Sequence, residues 1–129
     1  GKALEQKKEW AGAMNAYEKA ATLEKLPADA FKDFLQAGVM GVRAKAFDEA
    51  EGSYQKAIAV MPDKIDGYLG VADVFRTQKR YDDAIAWYQK TGALFPQDYR
   101  PPYYLGLVAR AQKDYEKALD YFEQSLTLK

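Results

Sequence analysis

The chain contains no cysteine and no histidine. Without cysteine it can form no disulfide, no thiolate metal site and no thiol nucleophile, and the cellular compartment stays open. Without histidine it lacks the commonest metal ligand and the side chain that most often acts as a general base at neutral pH. We therefore expect no metal and no cofactor.

An excess of charge of either sign is also missing, because 19 Lys and Arg residues balance 19 Asp and Glu residues. The balance holds locally along the chain, so no segment resembles a basic or acidic tail. A chain without net charge does not attract nucleic acid or an anionic membrane surface over a distance. No stretch approaches 18 uninterrupted apolar residues, and we expect no membrane insertion and no nucleic-acid partner.

Few of the remaining side chains are arranged for catalysis. The two serines are Ser53, in a sequence unlike a nucleophile elbow, and Ser125, which occupies a packing position described below. The acidic pairs Asp48-Glu49 and Asp82-Asp83 lie in turns or first helical turns, where their charge favours the helix dipole. A glycosidase with paired acids is the remaining enzymatic alternative. We predict that the chain is not an enzyme.

A repeated pattern is what the sequence does contain. "YDDAIAWYQK" at residues 81–90 returns 34 residues later as "YEKALDYFEQ" at residues 115–124. The repeating columns, spaced by 34 or 37 residues, are an aromatic residue (Trp10, Phe47, Tyr81, Tyr115), then Ala (Ala13, Ala50, Ala84, Ala118), a ring (Tyr17, Tyr54, Tyr88, Phe122) and a small residue (Ala20, Ala57, Thr91, Ser125). A further small column lies upstream, at Gly38, Ala72 and Gly106.

The spacing within each unit predicts two α-helices joined by a short turn. Offsets of three, four and three residues place the small, large and small columns on one helix face, where a ring fills the gap beside a closely packed neighbour. Residues 31–43, 65–77 and 101–112 carry their own helical apolar stripes. Pro62 and Pro96 fall where each second helix should end. No segment has the pattern of a strand.

These columns resemble the tetratricopeptide repeat family, whose pattern includes a Leu-Gly pair, an Ala, an aromatic residue, a second Ala and a closing Pro over 34 residues. "YLGVADVF" followed by "YDDAIAWYQKTGALFP" is the best match. The resemblance implies an all-α, right-handed superhelical solenoid of antiparallel helix pairs. It divides the chain into a partial first repeat at residues 1–27 and repeats at residues 31–64, 65–98 and 99–129.

The chain departs from the family pattern at several positions. Pro101-Pro102 stand at the start of the fourth repeat, and we expect its first helix to begin late. Gly41 and Ala109 are small where the family usually has a ring, which predicts looser packing there. The first repeat is incomplete and no closing Pro follows Ser125. Because solenoid ends usually need caps, we expect a piece of a longer protein.

The family resemblance implies that the first helix of each pair lines a concave groove that binds a protein segment. The groove positions fall on three first helices: Lys32, Leu35, Gln36, Val39 and Arg43; Asp66, Leu69, Asp73 and Arg76; and Arg100, Tyr103, Tyr104, Leu107 and Arg110. An apolar middle band and an arginine margin suit a partner with hydrophobic anchors and carboxylates. The variants Leu69→Asp and Arg76→Glu are expected to weaken capture of that partner without unfolding the chain.

Three alternative functions were weighed against this one. The carboxylate clamp for chaperone tails needs two groove asparagines, but the only asparagine is Asn15, on a second helix. Single-stranded RNA binding needs a basic groove, which Asp66 and Asp73 interrupt. Homo-oligomerisation through solenoid ends without caps, involving Phe122 and Leu126, is the stronger rival.

Overall fold

The computed structural model describes residues 26–129 and contains six α-helices and no strand in that range. They are α1 (Pro27–Arg43), α2 (Phe47–Val60), α3 (Ile65–Thr77), α4 (Tyr81–Leu94), α5 (Arg100–Ala111) and α6 (Tyr115–Leu128). The predicted columns at Trp10, Ala13, Tyr17 and Ala20 lie outside the described residues, as does most of the predicted partial repeat at residues 1–27. None of the helices in the described range combines the length and the apolar character needed to span a bilayer.

The helix ends agree with the proline positions but not with one expected helix start. α2 and α4 each end two residues before the predicted stops at Pro62 and Pro96. α5 begins at Arg100 and carries Pro101 and Pro102 within its first turn, so the expectation of a late start is wrong. Proline is compatible with this turn because the first amide groups of a helix have no partner within the helix.

Each helix pair is joined by the same turn, closed by a lysine in the left-handed region. Lys45, Lys79 and Lys113 have φ values of 59°, 62° and 64°. In the last turn, the amide of Lys113 donates to the carbonyl of Arg110, and the amide of Asp114 donates to the carbonyl of Ala109. The same two bonds recur at the other turns, and they define a Schellman motif that caps the preceding helix.

The described residues divide into two compact units, with a boundary after Val74. In the first unit, α1 packs against α2, and a small core forms from Ala30, Phe31, Phe34 and Ala57. This core is the apolar face that the helical periodicity predicts.

The Tyr54 ring fills the space between helices of the first unit. A Cβ atom on Gly38 of α1 would lie 2.6 Å from this ring, and a Cβ atom on Gly70 of α3 would overlap it. Gly41 packs just as closely, because a Cβ there would lie 2.8 Å from the Cβ of Ala50. The expectation of loose packing at Gly41 is therefore wrong: the small residue permits close contact between α1 and α2.

The second unit repeats this arrangement in α4, α5 and α6. A Cβ on Gly106 of α5 would lie 2.6 Å from the Phe122 ring of α6, and Tyr88 of α4 is fully buried. The hydroxyl groups in the small column are satisfied: Thr91 donates to the Trp87 carbonyl at 2.6 Å and Ser125 to the Tyr99 carbonyl at 2.9 Å. Polar residues are tolerated at these buried positions because each finds a hydrogen-bond acceptor.

Candidate functional site

In the first unit, most of the predicted groove residues are accessible. Those that are exposed or half-buried are Lys32, Leu35, Gln36, Val39 and Arg43 on α1, and Asp66 and Asp73 on α3. Leu35 also packs against the small core of this unit. The accessible surface on α1 is therefore mixed, with one exposed aliphatic side chain, Val39, among polar ones.

Leu69 does not belong to an accessible apolar band, because only 6% of it is exposed. The reason lies in α3, where the six consecutive residues from Gly67 to Ala72 are all buried. A helix that is apolar or small on all sides is buried on all sides. The expectation that Leu69→Asp leaves the chain folded is accordingly wrong, since it places a charge in the interior.

Asp73 acts on the electrostatics of the interior of the first unit. Burial, and secondarily the negative charge of Asp73, raise the pKa of Tyr54 to about 12. The Tyr54 phenol is therefore held in its neutral form, as a buried side chain beside a carboxylate requires.

In the second unit, three predicted groove residues line one cavity of about 510 Å³. Its wall consists of Tyr99, Arg100, Tyr103 and Tyr104 from the start of α5 and its preceding loop, and Phe122, Ser125, Leu126 and Lys129 from α6 and the residue after it. We call this space the aromatic cavity. Tyr103 is 42% exposed and lies with its ring centre 5.5 Å from Tyr104 and 5.9 Å from Phe122. The cavity offers ring edges and faces to an incoming apolar side chain.

The charge of Arg100 in this cavity is already paired. Its Nε and Nη2 atoms donate to the two carboxylate oxygens of Asp98 at 3.0 and 2.8 Å. Asp98 also accepts from the Arg100 backbone amide at 2.9 Å. The Arg100 side-chain hydrogen bonds hold the pKa of Asp98 below its usual value, against the opposing effect of burial. Arg100 therefore shapes the wall more than it offers a free charge.

A second cavity, of about 440 Å³, contains the other three predicted groove residues of this unit. Its lining is formed by Arg76, Thr77, Lys79, Tyr81, Leu107, Val108, Arg110 and Ala111. We call it the basic cavity, because three of these residues are cationic and none is acidic. It lies where α3 turns into α4 and where α5 ends.

Arg76 is held in place beside both cavities. Its Nε donates to the hydroxyl of Tyr88 at 3.1 Å, and its guanidinium carbon lies 5.3 Å from the centre of the Tyr104 ring. The rings of Tyr88 and Tyr104 stack with a centroid distance of 5.3 Å and an interplanar angle of 13°. Two contacts with stacked rings fix the guanidinium, since arginine favours aromatic faces.

Sequence reasoning missed several residues of these cavities. Tyr99 precedes α5, Phe122 was assigned only to packing, and Lys79 lies in a turn. The turn lysines recur with the repeat at Lys45, Lys79 and Lys113, which is a signal that sequence alone contained. The position of Tyr99 in a cavity wall had no such signal, because loop direction does not follow from helical periodicity.

Two family models, both described as tetratricopeptide repeat, match residues 42–99 and residues 103–129. The chain belongs to the tetratricopeptide repeat family. The resemblance inferred from the aligned columns is thereby confirmed, as is the all-α helical-repeat fold.

Solved structures show the same tetratricopeptide fold at low sequence identity. MamA (41-end) from Desulfovibrio magneticus RS-1 has a TM-score of 0.70 and 18% identity over 97% of this chain and 69% of its own. The Yersinia enterocolitica type III secretion translocator chaperone SycD has a TM-score of 0.68 and 14% identity, over 78% of this chain and 76% of its own. Cut9, from the APC/C hetero-tetramer Cut9-Hcn1, has a TM-score of 0.70 and 21% identity, over 95% and 22% respectively.

The chain spans 66% of a further MamA chain, a double mutant. A search of curated proteins finds no match to this chain.

Proposed function

We propose that this chain is a non-catalytic scaffold that binds a segment of another protein, and that the aromatic cavity takes an apolar anchor of that segment. The observation that carries the proposal is the cavity of about 510 Å³ with Tyr103 exposed at its wall. Small-molecule and peptide anchors bind in concave, largely apolar sites with a few polar groups at the edge.

The chemistry of the lining favours an aromatic or branched aliphatic anchor. Tyr99, Tyr103, Tyr104 and Phe122 offer ring surface, while the guanidinium of Arg100 is engaged by Asp98. Tyrosine loses little conformational entropy on binding for the contact area it provides. Acidic residues of the segment would face the basic cavity, where Arg76 and Arg110 lie.

The accessible first-helix residues of the first unit are proposed as a contact surface of their own. These are Lys32, Leu35, Gln36, Val39 and Arg43 on α1, with Asp66 and Asp73 on α3. Leu69 is omitted because it is buried.

A displayed library of random peptides tests the proposal directly. Peptides selected on the immobilised chain are measured by titration calorimetry against the parent chain and Tyr103→Ala. We expect Tyr103→Ala to weaken binding about tenfold or more, as removal of a central aromatic contact usually does. Tyr115→Ala is the matched control, because Tyr115 is 65% exposed and lies outside the cavity lining.

Selected peptides without apolar residues, or equal losses in Tyr103→Ala and Tyr115→Ala, would show that the aromatic cavity is not the anchor site. Tyr103 replaces Arg76 as the test position because Arg76 donates to the buried Tyr88 hydroxyl. Arg76→Glu would remove that donor and alter the interior as well as the surface.

Self-assembly is a second candidate, favoured by an apolar face of α6. Tyr115, Leu119 and Leu126 are 65%, 59% and 72% exposed and share one side of the helix. Sedimentation velocity over a range of concentrations tests it: Leu119→Asp should abolish a dimer, while Gln124→Asp, also on α6, should not. A parent chain that stays monomeric excludes this function. Leu119 is preferred to Phe122 for the test because Phe122 packs on Gly106.

A further inference from the structure

Cations from two consecutive repeats meet in the basic cavity. Arg76 and Arg110 occupy the same position in their repeats, 34 residues apart, and Lys79 belongs to the turn that follows Arg76. No acidic residue lines the cavity. Within residues 26–129, neither Lys79 nor Arg110 takes part in an ion pair. Their positive charge is therefore available to a ligand.

We propose that the basic cavity binds the phosphoryl group of a phosphorylated side chain. The proposal rests on the proposed function, because it places this side chain on the protein segment whose anchor enters the aromatic cavity. A phosphoryl group carries nearly two negative charges at neutral pH and three acceptor oxygens. Three cations suit such a dianion better than a single carboxylate, which carries one charge.

Arg76 is oriented before any ligand arrives. Its Nε is occupied by the Tyr88 hydroxyl, and the face of its guanidinium lies against Tyr104. A side chain fixed in this way loses less conformational entropy on binding than a mobile surface arginine. The backbone at Lys79 is likewise set by its Schellman turn.

The two cavities adjoin each other at Arg76 and Tyr104. Arg76 lines the basic cavity, Tyr104 lines the aromatic cavity, and the guanidinium carbon lies 5.3 Å from the ring centre. An extended chain advances about 3.3 Å per residue. The phosphorylated residue is therefore about one to three residues from the apolar anchor.

N-acetyl-phosphoserine methylamide is a probe for the basic cavity alone. Its titration is followed by ¹H–¹⁵N NMR on the full chain, with the unphosphorylated serine compound and the corresponding glutamate compound as comparisons. We expect saturable shifts at Thr77, Lys79 and Arg110 with the phosphorylated probe only. Lys79→Gln and Arg110→Gln should each weaken its binding about tenfold.

Lys113→Gln is the matched control for Lys79→Gln. Both lysines are exposed and have positive φ in equivalent turns, but Lys113 does not line the basic cavity. Equal weakening by the two variants would overturn the proposal, because it would indicate nonspecific attraction. Absence of saturable shifts, or equal binding of the glutamate probe, would overturn it as well.

A second arm tests the source of the phosphoryl group. Peptides with tyrosine one to three residues from phosphoserine should bind at least about tenfold more tightly than the probe, and Tyr103→Ala should remove that gain. Equal affinity of peptide and probe would overturn the assignment to a protein segment. Loss of the anchor effect with the probe still bound counts against the aromatic cavity, whereas loss of probe binding counts against the basic cavity.

Discussion

At the scale of single residues, the approach of neighbouring helices depends on a ring placed opposite a glycine. Tyr54 illustrates this in the first unit, where it contacts positions that have no Cβ on both α1 and α3. Phe122 and Gly106 form the corresponding contact in the second unit. Because interiors are packed to crystal-like density, even one added methyl group must displace something.

Two helical glycines should therefore respond to alanine in opposite directions. Gly70→Ala adds a Cβ that overlaps the Tyr54 ring, and we expect a loss of about 2 to 3 kcal/mol in the free energy of unfolding. Gly52 of α2 has no atom within 4 Å of an added Cβ, so Gly52→Ala should gain up to about 1 kcal/mol from helix propensity. Urea denaturation of both variants measures the difference. Equal stability of the two would contradict the packing account.

The raised pKa of Tyr54 makes stability depend on alkaline pH. The unfolded chain loses this proton near pH 10.0 and the folded chain near pH 12, so the contribution is complete below pH 10 and declines as the pH rises toward 12. The shift sets an upper bound of about 3 kcal/mol on the loss. In Tyr54→Phe the alkaline decline in the unfolding midpoint should be shallower. Tyr115→Phe, which removes an exposed hydroxyl, should decline as steeply as the parent chain.

At the scale of helices and turns, each helix pair is closed by the same capping motif with an unusual residue in it. The position after such a helix end is normally glycine, since a Cβ is unfavourable in the left-handed region. This chain places lysine there in all three described turns. The hydrogen bonds of the Schellman motif hold the strained residue in place.

Replacing one turn lysine with glycine should relieve this strain. Lys113→Gly is expected to stabilise the chain by about 0.5 to 1 kcal/mol, because relief of the positive φ exceeds the added flexibility of the unfolded chain. Lys117→Gly, three residues into α6 from the turn, should destabilise it by about 1 kcal/mol. Thermal unfolding followed by circular dichroism measures both. A loss of stability in Lys113→Gly would show that the lysine side chain contributes more than its backbone costs.

At the scale of the whole molecule, the balance of 19 positive and 19 negative side chains governs which partners are attracted. Attraction to a nucleic-acid strand requires a continuous basic surface that releases counterions along the strand. The basic cavity is local, and acidic residues Asp66 and Asp73 stand among the predicted groove positions. The chain is therefore suited to recognising single side chains rather than a polyanion.

A labelled single-stranded RNA should consequently show no saturable binding below about 0.1 mM at physiological salt, the weak end of nonspecific affinities. Fluorescence anisotropy at two salt concentrations measures this. Saturation at lower concentration, with affinity that falls steeply as salt rises, would contradict the prediction and restore the RNA alternative.

The sequence by itself determined the helix pairs, their turns and the ring-on-glycine contacts, because these follow from local periodicity and from the 34-residue repeat. It also identified six residues that line the two cavities: Arg76, Arg100, Tyr103, Tyr104, Leu107 and Arg110. Only the tertiary structure decided that Leu69 is buried, that Asp98 neutralises Arg100, and that Tyr99 and Lys79 join the cavity walls. Burial and charge pairing depend on which neighbours fold back onto a residue, and a helical stripe contains no information about those neighbours.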